Sequence, residues 1–304
     1  MKIALAHKRL DLGGGTERDF YITAEGLRDL GHEVHIFCGE FRIPPPNGIH
    51  AHKVPTLWLG RTAQLLSFAF LGPRVILPYQ FDIVVGFGRM VSQDVLRSGG
   101  GSHRVFLQKM RQGEGAVRRL WHRVSLYHRS VLLVEALQFR LHSHNRILAV
   151  SQEVKREISS VYGVEENRIA VIYNGVDTDR FHPGNRARSR AKIKAQWGIP
   201  CEAPLVLFVG SAFQRKGLER LLRVWRSNSL QGIYLLVLGE DVHWNRSRGG
   251  GMSNGEDRIV WAGHRENVEE YYGAADLLAL PALQEAFGNV VLEALASGVP
   301  VLTT

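Results

Sequence analysis

Late in the chain the segment Gln284-Glu285-Ala286-Phe287-Gly288-Asn289-Val290-Val291-Leu292-Glu293-Ala294-Leu295 carries two glutamates separated by seven residues. Two glutamates at a given spacing are ordinarily solvated helix positions, so the spacing alone carries little. The neighbours of Glu293 change that reading. Val290, Val291, Leu292, Ala294, Leu295 and Ala296 predict a helix that is apolar nearly all round and therefore buried, where a carboxylate needs hydrogen-bond donors. A vicinal diol would provide them. Glu285 sits in the loop before that helix and could accept bonds from further hydroxyls, while the amides of Phe287 and Gly288 at the helix start can donate to oxygens.

Three other segments could do chemistry. In Gly210-Ser211-Ala212-Phe213-Gln214-Arg215-Lys216-Gly217, a strand end runs into a helix start, and Arg215 and Lys216 there suit a diphosphate leaving group; the bland reading is a solvated basic turn. In Gly13-Gly14-Gly15-Thr16-Glu17-Arg18-Asp19, the glycines let backbone amides approach a ligand ahead of a helix N-terminus, or else form a plain turn. It is neither GxGxxG nor a Walker loop, which removes support for nicotinamide binding and simple ATPase chemistry. Asp19 has an ordinary role as a first-turn helix residue. The span from Arg97 to Arg140 holds nine Lys or Arg against Glu114 and Glu135, a net of +7. Leu120, Val124, Tyr127, Val131 and Val134 recur there at helical spacing among Arg118, Arg119, Trp121, Arg123 and Arg129, as in a basic amphipathic helix that meets an anionic membrane. The alternative is a helix packed in its own lobe with solvated charges. His103 follows a glycine run and could touch a ligand or simply face solvent.

These residues must be positioned by strands and helices in alternation, because in open α/β sheets ligands bind beyond the carboxyl ends of strands. Strands are expected at 2–6, 33–38, 82–86, 146–150 and 168–173, with a first helix capped by Thr16 and ended by Gly31. After Asn174-Gly175 the polar, basic stretch to residue 190 reads as a linker. The alternation then restarts, with strands at 204–210, 233–238, 258–262, 276–280 and 299–303 and helices from about Gly217 and Phe287. Residues 245–255, rich in Arg, Gly and Ser, read as a loop. The expected organisation is a lobe over 1–173, a linker over 174–190 and a second lobe over 191–304.

Composition bounds the function. With 304 residues and 45% hydrophobic content the chain can bury two cores, and its net charge of +9 favours an anionic partner. Cys38 and Cys201 alone make a disulfide framework unlikely to be the organising device and point to a reducing compartment. The apolar N-terminal stretch is too short for a signal peptide, and Leu65 to Leu77 is interrupted by Gly72, Pro73 and Arg74. Asp177-Thr178-Asp179 fits a metal-binding DxD pattern but lies in the expected linker, and His142 and His144 lack carboxylate or cysteine company.

Taken together, the Glu-x7-Glu helix, the Arg215-Lys216 turn, the first glycine-rich loop, Tyr173-Asn174-Gly175-Val176-Asp177 and Ala296-Ser297-Gly298-Val299-Pro300-Val301 resemble glycosyltransferase family 4, retaining enzymes of the GT-B fold. The likeness runs from residue 2 to 304. Within the family, the first loop, Val85-Gly86-Phe87 and the basic segment resemble members that build lipopolysaccharide core. The resemblance implies two Rossmann-like lobes with a cleft between them. It puts Glu293 on ribose hydroxyls, Glu285 on the donor sugar, Arg215 and Lys216 on the diphosphate, and Gly14 and Gly15 against the phosphates or sugar. Asp19 and His103 would face the acceptor. No metal is implied, because the two cations take the role that Mg²⁺ has elsewhere. The implied reaction moves a hexose, glucose in the lipopolysaccharide-core members, from a UDP-type nucleotide sugar to an anionic glycan or glycolipid, with a leaving-phosphate oxygen taking the acceptor proton.

The same resemblance places the enzyme in the cytoplasm, peripheral on the inner face of the cytoplasmic membrane. Family members continue beyond the equivalent of Thr304, so the second lobe is expected to be incomplete and this span alone to be weakly stable and weakly active. Residues 245–255 also depart from the family's usual helix. Two other readings compete: a nucleotide-sugar epimerase of the same architecture, and a basic nucleic-acid binder, for which the sequence offers no recognition motif.

Overall fold

The computed structural model describes residues 1–111, 125–140, 146–226, 230–241, 244 and 258–304. These form two compact units, Met1–Asn174 and Gly175–Thr304.

Unit 1 is built on β1 (Lys2–Leu10), α1 (Gly15–Asp29), β2 (Glu33–Phe41), β3 (His50–Lys53), α2 (Arg61–Ile76), β4 (Ile83–Gly86), β5 (Val95–Ser98), α3 (His103–Arg111), α4 (Leu126–Arg140), β6 (Arg146–Ala149), α5 (Gln152–Tyr162) and β7 (Ile169–Val171). Its seven strands are parallel in the order β3-β2-β1-β4-β5-β6-β7. The order reverses between β1 and β4, so their carboxyl ends form the crevice in which such sheets hold ligands. Near-continuous apolar runs such as Ile3-Ala4-Leu5-Ala6 suit a sheet covered on both faces, and all four are buried. Phe20 of α1 seals this crevice from beneath, its ring 5.2 Å from Phe87 edge-on and 5.6 Å from His7. A fully buried Phe of this kind contributes roughly 1.5–3 kcal/mol.

Unit 2 repeats the scheme with α6 (Asn185–Gln196), β8 (Leu205–Val209), α7 (Leu218–Trp225), β9 (Tyr234–Leu238), β10 (Ile259–Gly263), α8 (Val268–Ala274), β11 (Leu277–Leu280), α9 (Asn289–Ala296) and β12 (Val301–Thr303). Its strands are parallel in the order β10-β9-β8-β11-β12, with the reversal between β8 and β11. One core cluster packs Phe181, Leu207, Leu236, Tyr272 and Leu278, and another packs Phe208, Phe213, Leu222, Trp225 and Leu280.

Several local expectations change. Asn174 closes unit 1, and residues 175–190 are built into unit 2 rather than left as an open linker. Phe181 is buried in the core, α6 begins at Asn185, and Arg186 and Arg190 both pair with Asp276 at 2.7 and 2.8 Å. Gly14, not Thr16, occupies the cap of α1, and Thr16 lies inside the helix. Residues 65–76 lie within the helix α2, Pro73 included, and Gly72 lies close to the Met90 sulfur, which an added Cβ would meet at 3.0 Å. No helix among the described residues is long and apolar enough to cross a membrane. In α9 only Ala294 is buried and Leu295 is exposed, so the all-round apolar pattern marks a half-buried helix rather than the buried one expected. The loop expected at 245–255, His142 and His144 lie outside the described residues. Asp177 accepts from the amides of Asp179 and Arg180 through one carboxylate oxygen, the bonding of a turn rather than of a metal site.

The two thiols sit in opposite environments. Cys38 in β2 is buried and burial pushes its thiol up to about 12, whereas Cys201 is exposed. We expect one thiol per native chain to react with an aromatic disulfide reagent at pH 8 and two after unfolding; two fast native reactions would contradict the packing of β2.

Candidate active site

In unit 2 the chain leaves β8 at Gly210, turns through Ala212 and Phe213, and enters α7 at Gly217. Alongside, it leaves β11 through Pro281 to Glu285 on the way to α9. Backbone contact fixes the two turns together, since the Leu283 amide donates to the Arg215 carbonyl at 2.8 Å. Two glycines make this possible. Gly217 has φ +78°, and a Cβ there would lie 1.8 Å from the Pro281 carbonyl oxygen. Gly210 has φ +147°, and a Cβ there would lie 2.3 Å from Cδ of Lys216, whose stem crosses that position.

The side chains converge on Glu285. Arg215 Nη1 lies 3.3 Å from Glu285 Oε2 and donates to the Gln284 carbonyl at 3.0 Å; Lys216 Nζ lies 3.6 Å from the same carboxylate oxygen. Lys216 is largely buried. Burial holds its ammonium below the ordinary lysine range, with the Glu285 charge opposing and Arg215 adding to the effect. Glu293 on α9 also acts electrostatically on Lys216, and its Oε2 accepts from the Tyr272 hydroxyl at 2.9 Å. Burial, then the Glu293 charge, keep that phenol protonated. Phe287 and Gly288 occupy the turn that leads into α9, Gly288 at its cap with φ +87°. All six predicted donor-site residues of this unit, Arg215, Lys216, Glu285, Phe287, Gly288 and Glu293, thus belong to the carboxyl ends of β8 and β11 and the helix that follows.

In unit 1 a cavity of about 500 Å³ lies beyond β1, β4 and β5. It is lined by His7, Lys8, Arg9, Arg61, Arg89 and Arg97 against Glu17, Glu40 and Glu135, so positive charge predominates. The predicted residues lie around this cavity in different ways. Asp19 stands behind Arg97, paired to it at 2.9 Å, and burial raises its carboxyl above the ordinary value although Arg97 works to lower it. The His103 amide donates to both oxygens of Glu135 at 2.9 and 3.0 Å, and its ring Nε2 lies 3.0 Å from Nδ1 of His128. Neither Asp19 nor His103 is among the lining residues. Gly14 is covered, because a Cβ there would meet Glu17 Oε2 at 2.3 Å, and the Gly13 amide is already held by Asp11 at 3.2 Å. Gly15 begins α1 beside it. A phosphate at this loop would have to displace two carboxylates.

Sequence reasoning missed the lining itself. Glu135, 2% exposed, accepts from Tyr162, Arg89 and the His103 amide, and Gln138 spans the Gly88 and Met90 carbonyls. Arg97 also reaches the Ile172 carbonyl and Asn174. A charged residue at the end of a short apolar strand, Val95-Leu96-Arg97-Ser98, was the available signal. Arg118, Arg119, Trp121 and Arg123 lie outside the described residues.

A family model described as Glycosyltransferase Family 4 matches residues 13–180, and one described as Glycosyl transferases group 1 matches residues 189–304. The chain is 28% identical over 297 residues to lipopolysaccharide glucosyltransferase WaaG of Escherichia coli (strain K12), covering 96% of this chain and 77% of that protein. The crystal structure of WaaG, a glycosyltransferase involved in lipopolysaccharide biosynthesis, superposes with a TM-score of 0.81 at 26% identity, over 99% of this chain and 80% of that one. The Anabaena protein HepE, solved in complex with UDP and glucose, shares the fold with a TM-score of 0.66 at 16% identity, over 100% of this chain and 80% of that one.

The close approach at Gly217 gives a direct test. Gly217→Ala should cost unit 2 about 2–4 kcal/mol in urea unfolding, from left-handed strain plus the clash with Pro281. A wild-type midpoint would show that the two turns are not locked together.

Proposed function

The chain belongs to glycosyltransferase family 4, and from that membership we propose that it moves a hexose, glucose for preference, from a UDP-linked nucleotide sugar to an anionic lipopolysaccharide-core or other lipid-linked glycan. The two parallel-sheet α/β lobes are those of the GT-B architecture, and the chain is a hexosyltransferase. What carries the donor assignment is the pairing of one carboxylate, Glu285, with two cations, Arg215 and Lys216, at the carboxyl ends of β8 and β11.

In this reading Arg215 and Lys216 take up the diphosphate. Lys216 is already desolvated, so its charge acts at close to full strength on the oxygen from which the sugar departs. Glu285, released from its cations as the diphosphate replaces it, turns to the sugar hydroxyls. Glu293, held by Tyr272, receives the ribose diol, and the turn amides at Phe287 and Gly288 support the sugar and phosphate oxygens. The glycosidic bond to the β-phosphate breaks as the acceptor oxygen attacks from the same face, and a phosphate oxygen accepts the acceptor's proton. Side chains supply the positive charge, so the reaction needs no resident metal.

The acceptor is assigned to the basic cavity of unit 1. Arg61, Arg89 and Arg97 suit phosphate or carboxylate groups on a glycan core, with Asp19 and His103 fixing that wall through Arg97 and Glu135. The segment of net +7, with Arg118, Arg119, Trp121 and Arg123, together with exposed Leu57, Trp58 and Leu59, supports contact with an anionic membrane from the cytoplasmic side. An epimerase would need no acceptor. WaaG, the structure above at 26% identity, is a glycosyltransferase, which favours transfer over epimerisation.

Thermal shifts against UDP-, GDP- and ADP-sugars should single out a UDP-sugar. Glu285→Gln and Lys216→Ala should each lower transfer by roughly 10²–10³-fold, while product analysis shows consumption of donor only with acceptor present. Full turnover in either variant would overturn the donor assignment. Brief assay in EDTA should leave the rate within about twofold, since the cations that serve the leaving group are side chains. Neutralising Arg118, Arg119 and Arg123 should weaken binding to anionic vesicles and leave UDP-sugar binding intact; unchanged vesicle affinity would contradict the membrane contact.

A further inference from the structure

At the amino ends of the unit 1 strands, the opposite end of the sheet from the cavity, four side chains meet on one face. Glu33 and His35 are two apart on β2, and His50 and His52 are two apart on β3, so each pair points the same way. The parallel register sets His35 against His50 and Phe37 against His52. The rings follow: His35 stacks on His50 at 4.5 Å, and His52 stacks on Phe37 at 4.5 Å.

The polar atoms are arranged in two shells. His35 is 7% exposed, and both of its ring nitrogens are engaged, Nε2 with Glu33 Oε1 at 2.9 Å and Nδ1 with His52 Nε2 at 2.8 Å. Glu33, His35 and His50 each offer a ligand atom, and these atoms all lie within 4.8 Å of one another. Glu33 and His50 are exposed, held to the cluster by the bond to His35 and by the ring stack; His35 is surrounded by Phe81 and Tyr79. Lys2, the neighbouring cation, is drawn aside onto the Tyr79 carbonyl at 3.0 Å and over the Phe81 ring.

We propose that Glu33, His35 and His50 bind one Zn²⁺ ion, with His52 orienting His35 through its second ring nitrogen. Imidazole and carboxylate ligands hold zinc at about 2.0–2.2 Å, which brings neighbouring donors to about 3.3–3.5 Å, within reach of small rotations of Glu33 and His50. Water completes the tetrahedron. A histidine ligand of such sites ordinarily has its other ring nitrogen held by a neighbour that fixes the ring's tautomer and orientation, and the His35–His52 bond does this here. The ion would tie β3, a four-residue edge strand paired with β2, to the body of the sheet. Its expected effect is to stabilise that edge of the sheet, and it does not depend on the transferase reading.

The test uses the full chain, stripped with chelator and then equilibrated with zinc chloride, with bound metal measured directly. Wild type should saturate at one zinc per chain at micromolar free zinc, and its melting temperature should rise with zinc concentration. Glu33→Gln and His50→Ala change exposed positions, and their melts in chelator should match wild type; each should bind zinc at least about tenfold more weakly, as should His52→Phe, which keeps the ring stack but removes the orienting nitrogen. Absence of stoichiometric zinc at tens of micromolar would overturn the proposal. So would unchanged affinity in Glu33→Gln and His50→Ala, which would place the metal on other histidines.

Discussion

A lysine ammonium taken out of water beside a single carboxylate organises unit 2. Lys216 can be buried only because Glu285 lies 3.6 Å away and because Gly210 leaves the space through which its stem passes. Glu285 can be there only because the turn after β11 is held against the turn after β8, which requires the bare backbone of Gly217. The local sequence, the backbone conformation and the electrostatics of the site are therefore one constraint. Such a pair is poised for exchange. In the proposed function, a diphosphate would offer the cations a better counterion, and the carboxylate it displaces would become available to a sugar.

Unit 1 solves a related problem with the signs reversed. Its cavity is rich in arginine, and carboxylates in and behind its wall, Glu135 and Asp19, hold it in shape. Glu135 gathers Arg89, Tyr162 and the start of α3, and Asp19 backs Arg97. Residues expected to touch ligand thus act one layer back, positioning the groups that line the cavity. Both units place this chemistry at the reversal of strand order, between β1 and β4 and between β8 and β11, where diverging helices leave the strand ends uncovered.

Much of the architecture was legible because a covered parallel sheet demands apolar runs, and Ile3 to Ala6 or Leu205 to Val209 contain little else. Short strands were harder. Val95–Ser98 carries an arginine, and His50–Lys53 is an edge strand with no apolar run to mark it. The cluster of Arg215, Lys216 and Glu285 was legible because its residues are close in sequence within two turns, and glycines mark where those turns cross. The arginine-rich cavity of unit 1 was not, since Arg97 meets Asn174 and Glu135 meets Tyr162 only after the sheet brings distant segments together. The same holds for the histidines of β2 and β3, whose two-residue spacing acquires meaning once the register is known. Position 16 illustrates a competition between signals: threonine is a good cap, but Glu17 folds back over Gly14 and the helix starts two residues earlier than a Thr16 cap would place it.

The central claim is that Lys216 is a desolvated cation waiting for a diphosphate, and the protonation of that one amine reports on it. NMR titration of the lysine Cε and Nζ resonances, with Lys216 assigned through Lys216→Arg, should show a pKa below the ordinary lysine value in the free protein. Saturation with UDP should raise it, because the diphosphate restores the counter-charge that burial withholds. An ordinary value that UDP leaves unmoved would mean that Lys216 is a solvated surface cation, and the donor site would have to be sought elsewhere.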